Sequence, residues 1–396
     1  MDGTKKRLLI TGSTFPRWQG DTEPRFVLDL AKEMTKYFDV TVVVPAAIGA
    51  KDDEIIEGVK VHRYHYLPVK KWETLAYPGA IVPRIKEKKS RILQVPFLFL
   101  GLWNYLRRNQ NKFDVAHSHW FIPQGIIQAF FSIPFLITGH GGDVTGLNTG
   151  VIKMLKARAL QKASAITFVS PQLKDIVEKY PEYSQALKSK TVEIIPMGVD
   201  TSKFSKDYHI DNYFNQGNKK VILYVGRLVE YKGLRYLIEA MEDVDGVLIV
   251  VGSGPMKEEY ERLSLPMKEK IQFLGPKTHD ELKEIYASAD IFCIPSYTTE
   301  KGEKEGFGLV TLEAMASGLP VVASNSGGIS TIVKNAYNGF LVEEKNSSQL
   351  AERIMTLIMS DDDYKSMTEM AVKTANEYDY TKVGKKYEAL ISRLES

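Results

Sequence analysis

Arg227 and Lys232 stand five residues apart in GRLVEYKG, directly after the strand-like run VILYV, with Gly226 and Gly233 beside them. An arginine fork and a lysine point charge at a strand end suit the oxygens of a diphosphate, and glycine lets the backbone approach such a ligand closely. Further on, EGFGLVTLEAMASG sets Glu305 just before a helix-like run and Glu313 about two turns inside it, with Gly306, Phe307, Gly308 and Leu309 at the helix N-terminus. Unpaired N–H groups and the helix dipole favour an anion there, and two carboxylates can grip different hydroxyls of one sugar nucleotide. The turn GSGP, with Gly252 and Gly254, is another strand-to-helix connection, which can equally be no more than a tight turn. In the first half, DVAHSHWFIPQG and FLITGHGGDVTG put His117, His119 and His140 at two strand ends, with Gly141 and Asp143 following. Neutral imidazole there would hydrogen-bond a sugar or assist transfer of an acceptor proton. Taken singly, each group has a plainer reading: a solvated loop cation, a glutamate favouring a helix dipole, a buried structural histidine.

Positioning these groups requires strands that end where they stand. Short β-branched runs alternate with longer amphipathic stretches along the whole chain, from RLLITG, VTVVVP, VAHSH, FLITGH, AITFVS and VEIIPMG to VILYVG, VLIVVG, IQFLG, IFCIPS and PVVAS. That alternation predicts an α/β fold of parallel sheets covered on both faces. Ligands of such sheets bind outside the carboxyl ends of the strands, where the groups above lie. Two glycine-bearing strand ends, LLITGSTFPRWQGD and ILYVGRLVEYKG, open the two halves, and neither holds a GxGxxG fingerprint. We therefore expect two Rossmann-like domains, residues 1–197 and 198–376, with the break at IIPMGVD, and a C-terminal helix over residues 377–396 packing back towards the first domain.

The bulk composition agrees. At 396 residues the chain exceeds one core of usual size. A net charge of +3 gives no reason to expect nucleic acid as a partner. Cys293 is the only cysteine, which excludes an intrachain disulfide and suits a reducing, cytoplasmic setting. The candidate Asp-x-Asp sites, Asp243–Asp245 and Asp361–Asp363, fall where a turn and a helix N-cap are expected. Two cations and a helix N-terminus can neutralise a departing phosphate without metal, so no required metal or other cofactor is expected.

Together, GRLVEYKG, GSGP, EGFGLVTLEAMASGLPVVAS and Gly327–Gly328 resemble the C-terminal half of the retaining GT-B glycosyltransferases of family 4, closely over residues 220–345 and more loosely in the first half. The resemblance implies a nucleoside-diphosphate sugar as donor and a glycan or lipid-linked hydroxyl as acceptor, with two domains facing across a cleft. It gives Arg227 and Lys232 the diphosphate, Glu305 the donor sugar and Glu313 the ribose, and ranks His140 before His119 near the sugar. Gly12, Gly20, Asp21, Gly141 and Asp143 become acceptor-side or phosphate residues. It also implies that the donor phosphate takes the acceptor proton, so that no protein nucleophile is needed. The chain departs from the pattern in carrying Gly12 and then a single Gly20 in place of a two-glycine turn, Ser330–Thr331 where an acid is common, and Met197 in the linker. A phosphorylase or nucleotide-sugar epimerase on the same fold, and a silent nucleotide-sugar-binding subunit, are the alternatives.

The greasy stretch Ile92–Leu106 is too short to span a bilayer and contains Pro96. It follows PRIKEKKSR and precedes Arg107 and Arg108. Residues 84–108 thus read either as a peripheral contact with an anionic membrane or as a core helix with a solvated basic end.

Overall fold

The computed structural model describes residues 5–394. It divides into two compact units, the chain up to Met197 together with Tyr380 onward, and Gly198–Asp379. Each is built on its own sheet.

The first unit holds β1 (Arg7–Thr11), β2 (Asp39–Pro45), β3 (Asp53–Ile56), β4 (Val59–Tyr64), β5 (Val115–His119), β6 (Phe135–Gly139), β7 (Ala165–Phe168) and β8 (Thr191–Ile194). Their order is β3-β4-β2-β1-β5-β6-β7-β8, parallel apart from the β3–β4 hairpin. Glu57 and Gly58, at φ 48° and 85°, turn that hairpin, as two left-handed residues must in a two-residue loop. Helices α1 (Phe26–Met34), α2 (Val95–Asn109) and α3 (Gly150–Lys162) cover this sheet's strands. Strands β1, β5 and β6 are buried along nearly their whole length, which suits the apolar runs of β1 and β6, whereas β5 carries His117, Ser118 and His119 into the interior.

The last helix, Tyr380–Ser392, packs on α1: a Cβ at Gly384 would sit 2.3 Å from Glu33 Cγ. Tyr387 is fully buried and donates its hydroxyl to the Ile195 carbonyl at 3.0 Å. The preceding helix runs on through Glu377, so the chain leaves the second unit at Asp379 rather than at residue 376. Residues 377–379 stay because Val199 N donates to Tyr378 O at 2.9 Å and Thr201 Oγ1 to Asp379 Oδ2 at 2.6 Å.

The second unit holds β9 (Val221–Val225), β10 (Val247–Val251), β11 (Ile271–Gly275), β12 (Ile291–Ile294), β13 (Val321–Ser324) and β14 (Gly339–Val342), in the order β11-β10-β9-β12-β13-β14. The order reverses between β9 and β12, so the crevice for a ligand opens at the carboxyl ends of those two strands. Helix α4 (Leu234–Ala240) follows β9, and α5 (Leu309–Ala316) follows β12 after a long polar loop. Cys293 is buried in β12, where burial pushes its thiol far up. Among the described residues no helix is long and apolar enough to cross a membrane.

Candidate active site

At the switch point of the second sheet, the loops leaving β9 and β12 bring Lys232 and Glu305 together. The Lys232 ammonium donates to Glu305 Oε2, and the two side chains are only 11% and 12% exposed. Burial pushes the Glu305 carboxyl up, but the charge and hydrogen bond of Lys232, then Arg227 and the Gly306 amide, hold it net below its ordinary value. The site therefore keeps a desolvated carboxylate that has one cation as its close partner. An ammonium has three donors, so Lys232 can hold Glu305 and still reach a second anion. Arg227 is exposed and donates to the Tyr231 hydroxyl at 2.7 Å.

Glycines fix this arrangement by letting loops touch. A Cβ at Gly252 would fall 1.9 Å from the Gly226 carbonyl oxygen, and one at Gly254 would fall 2.3 Å from that of Leu228. The GSGP turn is thus the support on which the Arg227 loop rests, with Leu228 N donating to Ser253 O at 2.8 Å. Gly327 and Gly328 do the same for the other loop, their Cβ positions lying 2.1 and 2.2 Å from the carbonyl oxygens of Glu305 and Gly306.

Gly308, at φ 89°, starts α5 without a side-chain cap. The Glu305 side chain folds over it, Cγ standing 3.6 Å from its Cβ position. Leu309 opens the helix half-buried. Phe307 is buried with its ring 5.9 Å from Tyr378, so what it can offer a ligand is backbone. Glu313 lies a little over one turn into α5, not two, because the helix begins only at Leu309. The buried Tyr286 donates to Glu313 Oε2 at 2.9 Å and orients it.

In the first unit the histidines form a buried row at the carboxyl ends of β5 and β6. His117 and His119 are fully buried and His140 is half-buried. His117 Nε2 lies 2.7 Å from Thr138 Oγ1, and His119 Nδ1 lies 3.0 Å from His140 Nε2. Burial pushes His119 down to about 3 and His140 well below its ordinary value, so both stay neutral at physiological pH. Such imidazoles are hydrogen-bonding groups and poor bases.

The two acids expected on the acceptor side, Asp143 and Asp21, have backbone work to do. Asp143 accepts from the amides of Phe121, Gly141 and His140 at 2.8, 2.9 and 3.1 Å. Asp21 accepts two bonds from the Arg17 guanidinium, at 2.8 and 2.6 Å, and further ones from the amides of Arg17 and Thr22. Both clamp their loops, and a ligand would meet the loop they shape. Gly20, at φ 81°, is the open turn ahead of Asp21, and Gly12 follows β1 with its Cβ position 3.3 Å from the Trp120 ring.

Sequence reasoning missed the supports. Lys156 is fully buried and donates to Asn148 Oδ1 and to the Gly146 carbonyl, at 3.0 Å for the latter, tying α3 to the loop that follows His140. Burial lowers Lys156 to about 8. A lysine on the apolar side of an amphipathic helix was the signal. Ser360, not Asp361, caps the late helix, and Asp361–Asp363 fill its first turn. Among the described residues no group of three or more His, Cys, Asp or Glu is arranged to hold a metal ion.

Comparison with known proteins bears on this geometry. Residues 205–374 match the family model of glycosyl transferases group 1, and residues 24–203 match that of glycosyltransferase family 4. An uncharacterized glycosyltransferase of Methanocaldococcus jannaschii is 27% identical over 349 residues, covering 85% of this chain and 93% of that protein. Among solved structures, sucrose-phosphate synthase of Thermosynechococcus elongatus superposes with a TM-score of 0.78 at 18% identity, over 98% of this chain and 99% of the other. Anabaena HepE, solved in complex with UDP-glucose, superposes with a TM-score of 0.71 at 18% identity, over 98% and 100%. With both halves matched and two parallel-sheet α/β units in the GT-B manner, the chain belongs to the group 1 type glycosyltransferases of family 4.

Proposed function

We propose that this glycosyltransferase takes a sugar from a nucleoside diphosphate and passes it, with retention of configuration, to a hydroxyl of a glycan or lipid-linked acceptor in cell-surface polysaccharide or glycolipid synthesis. The observation that carries the proposal is the buried Lys232–Glu305 pair at the switch point between β9 and β12. The UDP-glucose complex of Anabaena HepE, a protein of the same fold, supports a nucleotide sugar as donor.

In this reading the diphosphate lies against Lys232 and Arg227, whose charges stabilise the phosphate as it departs. Glu305, kept ionised by Lys232, accepts hydrogen bonds from the donor sugar, and its charge favours an oxocarbenium-like centre. Glu313, oriented by Tyr286, accepts from the ribose. The acceptor oxygen bonds to the anomeric carbon on the face the phosphate leaves, the glycosyl–phosphate bond breaks, and the proton passes to the departing phosphate oxygen. His140 and His119 of the first unit serve as neutral hydrogen-bonding groups for sugar hydroxyls, and no metal or other cofactor takes part.

A panel of nucleoside diphosphate sugars tests this by thermal shift. A donor at about a hundred times its Kd adds roughly 2.7 kcal/mol to stability, a shift of a few degrees. The double variant Lys232→Met/Glu305→Gln should lose that shift. Stabilisation undiminished in the double variant, or an inverted anomeric configuration of the product by NMR, contradicts the proposal.

A further inference from the structure

Helix α2 divides its apolar side chains between two faces. Leu98, Gly101, Leu102 and Leu106 are buried, and a Cβ at Gly101 would stand 2.8 Å from the His65 carbonyl oxygen. On the other face Phe97 and Leu100 are 49% and 51% exposed, and in the turn ahead of the helix Ile92 and Leu93 are 58% and 71% exposed. The packing of α2 on its own sheet does not use these four side chains, so they mark a surface made for something else.

That surface continues beyond α2. The Trp103 ring lies 6.3 Å from Phe131, and the neighbouring Phe130 is half exposed beneath the Arg158 guanidinium at 5.2 Å. Arg158 stands on α3, where Val151 and Met154 are 70% and 72% exposed. Two helices separated by forty residues of sequence therefore join in one apolar strip, with Trp103, Phe131 and Phe130 between them.

The charge around the strip is predominantly positive. Residues 84–108 contain seven lysines and arginines and one acid, Glu87, which is already engaged by Arg84 and Arg91. Helix α3 carries no acid and presents Lys153, Arg158 and Lys162, the first of them paired with Glu182 at 2.9 Å, while its fourth cation, Lys156, is buried. Lys88 and Lys89 are exposed and make no ion pair among the described residues. Two copies of such a face repel each other, which disfavours self-association through it. An anionic bilayer surface offers both complements at once, phosphates for the cations and acyl chain ends for the apolar side chains.

We propose that α2 and α3 together form a docking face for membranes bearing anionic phospholipid, the helices lying in the interface with Leu93, Phe97, Val151 and Met154 inserted. This goes beyond the donor chemistry and does not depend on it: the readout is binding to lipid, so failure of one leaves the other standing. The test is cosedimentation of the full chain with phosphatidylcholine vesicles, with and without phosphatidylglycerol. Binding is expected only with phosphatidylglycerol and should fall as salt is raised. Lys88→Glu/Lys89→Glu, a change of four units of charge, should lower affinity by roughly several hundredfold, at roughly fivefold for each unit. Leu93→Asp/Phe97→Asp and Val151→Asp/Met154→Asp should each abolish binding while leaving the circular dichroism and melting temperature unchanged, since all four positions are exposed. No sedimentation with anionic vesicles overturns the proposal. So does full binding by the Val151→Asp/Met154→Asp variant, or a concentration-dependent dimer that these variants dissolve.

Discussion

Replacing Lys232 by methionine should make the stability of this protein depend on pH in a way the wild type does not. Burial is the largest influence on Glu305 and pushes its carboxyl up; Lys232 supplies the next two, both opposing it. Without the ammonium, only the exposed Arg227 and the Gly306 amide still favour the charged form, so the carboxyl rises above its ordinary 4.5. The signs then differ. In the wild type the lowered value means that Glu305 contributes stability above 4.5, lost as pH falls through the depressed value. In the variant the raised value means a penalty that grows as pH climbs above 4.5 and levels off past the new value. The difference between the two proteins should already include the wild type's lost contribution at pH 5 and should widen by up to about 1.4 kcal/mol per pH unit, by at most roughly 3 kcal/mol between pH 5 and pH 7.5. With Glu305 only 12% exposed, solvent screens little of this. Urea unfolding of the full chain at the two pH values measures it. Lys232→Met/Glu305→Gln, which leaves no buried charge, should return to within about 1 kcal/mol of the wild type at both. Equal destabilisation of Lys232→Met at both pH values, with no recovery in the double variant, would refute the reasoning.

Gly252→Ala should destabilise by about 3 kcal/mol or more, because its Cβ would lie 1.9 Å from a carbonyl oxygen at φ 139°. Gly20→Ala, at φ 81° with open space around it, should cost only about 1 kcal/mol, and melting curves of the two decide whether close approach is the larger effect. Because burial keeps His119 and His140 neutral, the transfer rate should show no histidine inflection between about pH 6 and 8; an inflection near 6.5 that His140→Gln removes would show that His140 works as a base.

The sheets were legible because strands buried on both faces are mostly apolar, and VILYV and VLIVV announce themselves. The β3–β4 hairpin was not, since DEII is a four-residue edge strand with two positions exposed, and VKVHRY beside it interleaves lysine, histidine and arginine with its apolar residues. GFLV, the edge strand β14, was too short to stand out. At the candidate site the residue types could be named, but the Lys232–Glu305 pair joins residues 73 apart, and nothing local announces it. Nor could sequence show that Asp143 and Asp21 serve backbone amides, or that Gly252 and Gly254 are contact points between loops. Helix α2 read as either core or surface because it is both, one face for each.

The first unit is discontinuous: its sheet is complete by residue 194, yet the helix that buries Tyr387 against Ile195 arrives only at residue 380. During synthesis the unit made first must therefore wait for the ribosome to finish the other one before its own apolar surface is closed. A stop codon just before Tyr380 would leave the second unit its whole contiguous chain while stripping the cover from α1, damaging the part of the protein farthest away in sequence from the lesion.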